Sequence, residues 1–219
     1  SIYFNDSTLE RNANITGNTI GGTIDFGSSV IGGDTNIGDN TLTGSLSFLR
    51  ATLKGNVDLR DNVISESLNF YGSHISGELL FDKSQVLGTE AMPGTSSPTE
   101  FWNATVDGLA SFTGAYFKGY ADFTGAYFKG LGMSGATFDG VADFTNLHTA
   151  SDANFQGATF NTTAIFDNAT TKRDANFQGA TFNGNATFNY FTAERFVDFT
   201  NVTFNQGFNF YYTTVAYPY

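Results

Sequence analysis

The chain has no cysteine, only three prolines and only two histidines among its 219 residues. The missing cysteine removes disulfides, thiol nucleophiles and thiolate metal sites together, and it leaves the compartment open, since exported and cytosolic chains both do without it. No apolar run approaches the roughly 18 residues needed to span a bilayer, so no transmembrane segment is expected. Positive charge is also scarce. Ten Lys and Arg stand against 21 Asp and Glu, for a net charge of -11, and a partner held by its phosphates needs a clustered positive field. Direct nucleic-acid binding is therefore not expected.

Catalytic signatures are lacking as well. His74 and His148 lie in distant parts of the chain. No HExxH, GxSxG, phosphate-cradling glycine motif or calcium-loop spacing is found. The acids Asp25, Asp58, Asp122, Asp143 and Asp198 recur at one repeat position and so follow repetition, not chemistry. The expectation is a protein that is not an enzyme and holds no cofactor or metal.

What the chain does have is 24 Phe and 25 Gly, a composition that favours many short extended segments separated by turns. It is also a tandem repeat. The run Asp174 to Asn183 copies Asp152 to Asn161 letter for letter, 22 residues earlier. The unit has eleven positions, with apolar anchors at three and eight and frequent Gly at five and ten. Eight units run in register from Ile2 to Thr89. The pattern breaks at Glu90 to Pro98, a stretch holding two of the prolines, and resumes at Thr99; this reads as an inserted loop in one domain spanning 1–219. Units then run to Pro218, with Ala121 to Gly130 one residue short.

Stacked coils place matched residues above one another, which gives the number of units per coil. Position six reads Asn18, Asn40 and Asn62 in even units but Ser7, Ser29, Ala51 and Ser73 in odd ones. Position three alternates likewise, with Phe4, Phe26, Phe48 and Phe70 against Ile15, Ile37 and Leu59. The chemical period is thus 22 residues, two units per coil and four short sides per coil. The expected architecture is an all-β solenoid of roughly nine and a half coils, about 45 Å long at about 4.8 Å per coil. The Asn18, Asn40 and Asn62 column is expected to be an internal amide ladder.

Ala121-Asp122-Phe123-Thr124-Gly125, Ala142-Asp143-Phe144-Thr145-Asn146 and Ala153-Asn154-Phe155-Gln156-Gly157 resemble the pentapeptide repeat family, whose motif is Ala, then Asp or Asn, then Leu or Phe, then two variable residues. The resemblance implies a right-handed quadrilateral β-helix with the central Leu or Phe and the preceding small residue inward. This chain departs from the motif by an eleventh residue per pair of pentapeptides, so one turn in two should be wider.

Deviations from a regular scaffold are where function is expected. Late in the chain position eight alternates between Phe138, Phe160, Phe182 and Phe204 and the smaller Thr149, Thr171 and Ala193, predicting loosened sides along one edge. That edge carries His148, Lys172, Arg173, Glu194 and Arg195. With the outward Tyr116 and Tyr127, these are candidate lateral contacts for protein or glycan. Thr recurs at position seven, as at Thr137, Thr159, Thr181 and Thr203, and suggests ice binding as a minor reading. Sequons at Asn5, Asn14, Asn103, Asn161, Asn168, Asn185 and Asn201 would carry N-linked glycans in an exported protein.

The repeat reaches both ends of the chain without a capping helix. Ile2, Tyr3 and Phe4 stand at one end and Phe208, Phe210, Tyr211, Tyr212, Tyr217 and Tyr219 at the other. Apolar, uncapped solenoid ends favour head-to-tail contact between copies, which does not close and so propagates. The leading expectation is a structural protein that assembles end to end into a filament, tube or layer, secreted or at the cell surface. The chain begins without Met, which a removed signal peptide or simple trimming would explain. The alternative, implied by the family resemblance, is a cytoplasmic acidic rod that imitates DNA and binds a type II topoisomerase.

Overall fold

The computed structural model describes residues 1–88 and 98–215. They form an all-β solenoid of parallel strands, most only two residues long. Each coil has four faces, met in chain order as Ile2–Tyr3, Thr8–Leu9, Ala13–Asn14 and Thr19–Ile20 in the first coil; we call them faces 1 to 4. Ten strands stack on face 1 and nine on face 4, which makes about nine turns. Pairing advances by one period per coil, as in Ile2↔Ile24 and Thr19↔Thr41. Faces 2 and 3 join into one 17-stranded sheet because Thr105–Ser111 and Tyr127–Gly132 run unbroken across the corner between them.

The inward positions are one, three, six and eight of each unit. In the second coil these are Ile24, Phe26, Ser29 and Ile31, all buried. Two residues separate positions three and six, whereas three separate position eight from the next inward residue, so alternate corners differ in width. The narrow corner is a four-residue turn, closed by a backbone bond such as Ser29 N–H to Phe26 O at 3.1 Å except at Asn18, Asn40 and Asn62, whose N–H groups donate to a side chain of the next coil. The turn's third residue is left-handed in every described unit, from Asp6 (φ 55) to Tyr212 (φ 54), the backbone of a type II turn. That requirement explains Gly at position five. Gly at position ten has a different cause: a Cβ on Gly184 would fall 2.3 Å from the Thr162 carbonyl carbon one coil below, so stacked corners touch backbone to backbone.

Strand spacing dictates the core. Ten Phe rings, from Phe4 to Phe210, form one column on face 1, with neighbouring centroids 4.8 to 5.4 Å apart. Their parallel stacking follows from the backbone interval, and edge-to-face contacts between columns, such as Phe166 with Phe177 at 5.3 Å and 89°, tie the columns together. Asn40 and Asn62 of the polar column are buried as expected, whereas Asn18 in the first coil is exposed, and the column's bonds run mainly from side chain to backbone. Asn62 Oδ1 accepts the Asn40 N–H at 2.9 Å, while its Nδ2 donates to Ile37 O at 2.5 Å and Leu59 O at 2.6 Å. Ser84 continues the column, its Oγ accepting from Asn62 N–H at 3.0 Å.

Two irregularities are absorbed without breaking the stack. The insertion at 90–98 lies, Pro98 apart, outside the described residues; across it the pairing step lengthens to Leu68↔Thr99. The short unit gives Ala121↔Ala142 on face 1 and a register shift between Val106 and Leu109 opposite Tyr127–Gly132. Among the described residues no helix is long and apolar enough to cross a membrane.

Candidate functional site

With the interior filled by columns, the outer surface and the two edge coils are what the rod offers to a partner. Each outward side chain is held by its strand at the stacking interval, so outer residues also form columns. All the lateral candidates except Tyr116 lie on and beside face 2. His148 stands above Tyr127 in the outward column, with parallel rings 5.5 Å apart. The charged candidates sit at the wide corner after face 2 and pair with adjacent coils: Lys172 with Glu194, Arg173 with Asp152 at 3.6 Å, and Arg195 with Asp174 at 3.7 Å. These pairs are half exposed, so each is worth at most about 1 kcal/mol.

The expected loosening of that edge is corrected by its neighbours. Thr149, Thr171 and Ala193 are buried, and the larger side chains have moved to position six, where Leu147 and Phe191 fill the space. Both Thr hydroxyls donate to Ser151 O, at 3.0 and 2.9 Å. Only a void of about 10 Å³ remains between these residues, so the side is repacked, not opened.

Tyr116 lies on face 4, where its hydroxyl donates to Asp139; that hydrogen bond raises the phenol above its ordinary range. It also begins a feature unnoticed in the sequence. Asn161 Nδ2 donates to Asp139 Oδ1 at 2.6 Å, Asn183 to Asn161 at 2.8 Å, and Asn205 to Asn183 at 2.7 Å. This is an amide-to-amide ladder on the outside of the rod. Its signal was present at position nine, which reads Asp139, Asn161, Asn183 and Asn205 at the coil spacing. The Thr137, Thr159, Thr181 and Thr203 column runs beside it on face 4, in register.

Face 1 carries a short acidic column, Glu100, Asp122 and Asp143, paired coil on coil. Burial, then the nearby Asp122 charge, holds the Glu100 carboxyl above its ordinary range. Among the described residues no three His, Asp or Glu side chains converge as metal ligands. All seven sequon asparagines are exposed. At the edge coils Tyr3 is 67% exposed and Phe208 60%, while Ile2, Phe4 and Phe210 pack partly on the core. Tyr217 and Tyr219 lie outside the described residues.

The family model described as pentapeptide repeats (9 copies) matches residues 133–181 and 150–192. Over residues 133–192 the solenoid is similar to pentapeptide repeats. The matched pentapeptides have Phe and Ala at inward positions, as in Ala153 with Phe155 and Ala175 with Phe177, and they share the left-handed corner seen along the whole described stack. No curated protein and no solved structure matched the chain. A solenoid with these repeats over 133–192 is compatible with a non-catalytic structural role.

Proposed function

We propose that this protein is a structural rod that assembles end to end with copies of itself. The observation that carries the reading is the column of Phe rings on face 1. Phe4 stacks on Phe26 at 4.9 Å and Phe210 on Phe188 at 4.8 Å, so among the described residues Phe4 and Phe210 are the first and last rings of one column. A second copy placed in register would continue that column, pair Phe208–Asn209 with Ile2–Tyr3, and satisfy strand edges at both coils. The contact joins two different surfaces, so it propagates into a filament. An extracellular or cell-surface location belongs to the same proposal, supported by the exposure of all seven sequons. The DNA-imitating alternative has less behind it, because the acidic column is three residues long and Asp122 and Asp143 accept bonds from their own corners.

Sedimentation at increasing concentration tests the reading. The native chain should form species that grow with concentration, and Phe210→Glu, which places a charge in the joint, should remain monomeric with an unchanged β-sheet spectrum. A monomer at all concentrations would sink the proposal.

A further inference from the structure

Exposed large apolar side chains are unevenly distributed over the rod. Nine are found among the described residues, and five of them, Leu49, Trp102, Tyr190, Tyr211 and Tyr212, lie in the single column of narrow corners that follows face 1. The column holds two aromatic clusters. In the first, the Arg50 guanidinium lies 5.5 Å from the Tyr71 ring centre and Tyr71 meets Trp102 edge to face at 5.1 Å. In the second, Tyr190 and Tyr212 stack at 5.4 Å with Tyr211 against Tyr212 at 4.2 Å. Between them the same corners carry Thr124-Gly125, Thr145-Asn146 and Asp167-Asn168. Four coil steps separate Trp102 from Tyr190, about 19 Å at about 4.8 Å each.

The backbone supplies a second, independent observation. Tyr190 and Tyr212 occupy the left-handed corner position, with φ 57 and 54, a conformation that bulky residues rarely adopt. Asn103, Asn146 and Asn168 fill the same position in other coils. Tyrosine is therefore a poor choice for the turn, and its rings are 51% and 65% exposed, so the core does not require it. Strained residues of this kind concentrate at functional surfaces.

We propose that this corner column binds an extended neutral polysaccharide lying along the rod, with pyranose faces on the two aromatic clusters and sugar hydroxyls on the Thr and Asn side chains between them. The partner is chosen by charge and shape. A net charge of -11 repels nucleic acid and anionic lipid, and the corner carries few charges of its own. A single file of aromatic rings with amide and hydroxyl neighbours matches a linear ligand with apolar ring faces and a hydroxylated rim. Trp102 lies far from both edge coils, so the Trp102 variant separates this test from that of end-to-end assembly, whereas Tyr212 stands on the last described coil.

Trp102 is the chain's one tryptophan, so its fluorescence reports on this column directly. Protein from a bacterial host, which leaves the nearby Asn103 and Asn168 sequons bare, would be titrated with soluble mannan and laminarin and mixed with insoluble cellulose and chitin, with heparin as the anionic comparison. The proposal expects at least one neutral polymer to deplete the protein or shift Trp102 emission, with heparin inert. Trp102→Ala and the double variant Tyr190→Asn with Tyr212→Asn should each weaken that binding at least tenfold, and the double variant should melt no lower than the parent. Failure of all four neutral polymers, binding untouched by both variants, or preference for heparin would overturn it. A marked drop in the double variant's melting temperature would do so as well, because the rings would then be structural.

Discussion

Replacing Asn62 by Ala probes the internal polar column where it is best sealed. The side chain is fully buried and makes three bonds: it accepts from Asn40 N–H and donates to Ile37 O and Leu59 O. Leu59 O retains a second partner in the Ser84 hydroxyl at 2.7 Å. Alanine would strand the Asn40 N–H and the Ile37 carbonyl inside the rod. An orphaned buried group costs about 1–3 kcal/mol, so the pair and the small cavity together predict a loss of about 4 kcal/mol. For a chain of this size that corresponds to a melting temperature lower by about 10 °C. Asn62→Ser should cost only about 1 kcal/mol, because Ser84 already shows a hydroxyl filling the same role one coil away. Urea titrations of the parent and both variants, followed by circular dichroism, measure the differences. If Ala and Ser cost the same, or Ala costs under about 1 kcal/mol, hydrogen bonding by this column does not contribute as argued.

Other predictions address the remaining columns. Glu100→Gln should stabilise the protein by about 0.5 kcal/mol near neutral pH by removing a charge opposite Asp122. Since the folded-state pKa of Glu100 is raised, its favourable contribution is present at acid pH and is lost as pH rises through that pKa, so the gain from Gln should vanish in acid; melting curves at both pH values decide this. Gly184→Ala drives a methyl group into the Thr162 backbone and should cost about 3 kcal/mol in a urea titration. Gly179→Asn occupies a left-handed corner with open space around it and should fall within about 0.5 kcal/mol of the parent in the same assay.

The coil period was legible because stacking places like on like. Phe155 lies on Phe177 and Phe160 on Phe182, as the 22-residue copy implies. The wider alternate corner was legible for the same reason, since the eleventh residue has to sit between two inward positions. The bonding of the Asn column was only half legible: letters place amides in a line, but whether an amide reaches another amide or the backbone depends on how deep it lies. Inside the rod Asn62 finds unpaired backbone groups of the narrow corner, whereas outside it Asn183 finds only its neighbours' amides. Repacking around Thr149 and Thr171 escaped the single-position reading because the compensating Leu147 and Phe191 stand at position six. The aromatic corner was likewise hidden, since Trp102 and Tyr190 are far apart in sequence and share an edge only once the faces are assigned.

End-to-end assembly is tested most directly by a cross-link across the joint. The chain lacks native cysteine, so one copy carrying Tyr3→Cys and another carrying Asn209→Cys hold one thiol each. In an in-register joint these positions become pairing partners on face 1, as Thr187 and Asn209 are within the chain, at a spacing compatible with a disulfide. Mixing the two under mild oxidation should give a disulfide-linked heterodimer far more readily than either variant gives a homodimer. A statistical mixture of heterodimer and homodimers, or no cross-link at concentrations where the chain is soluble, would contradict the joint.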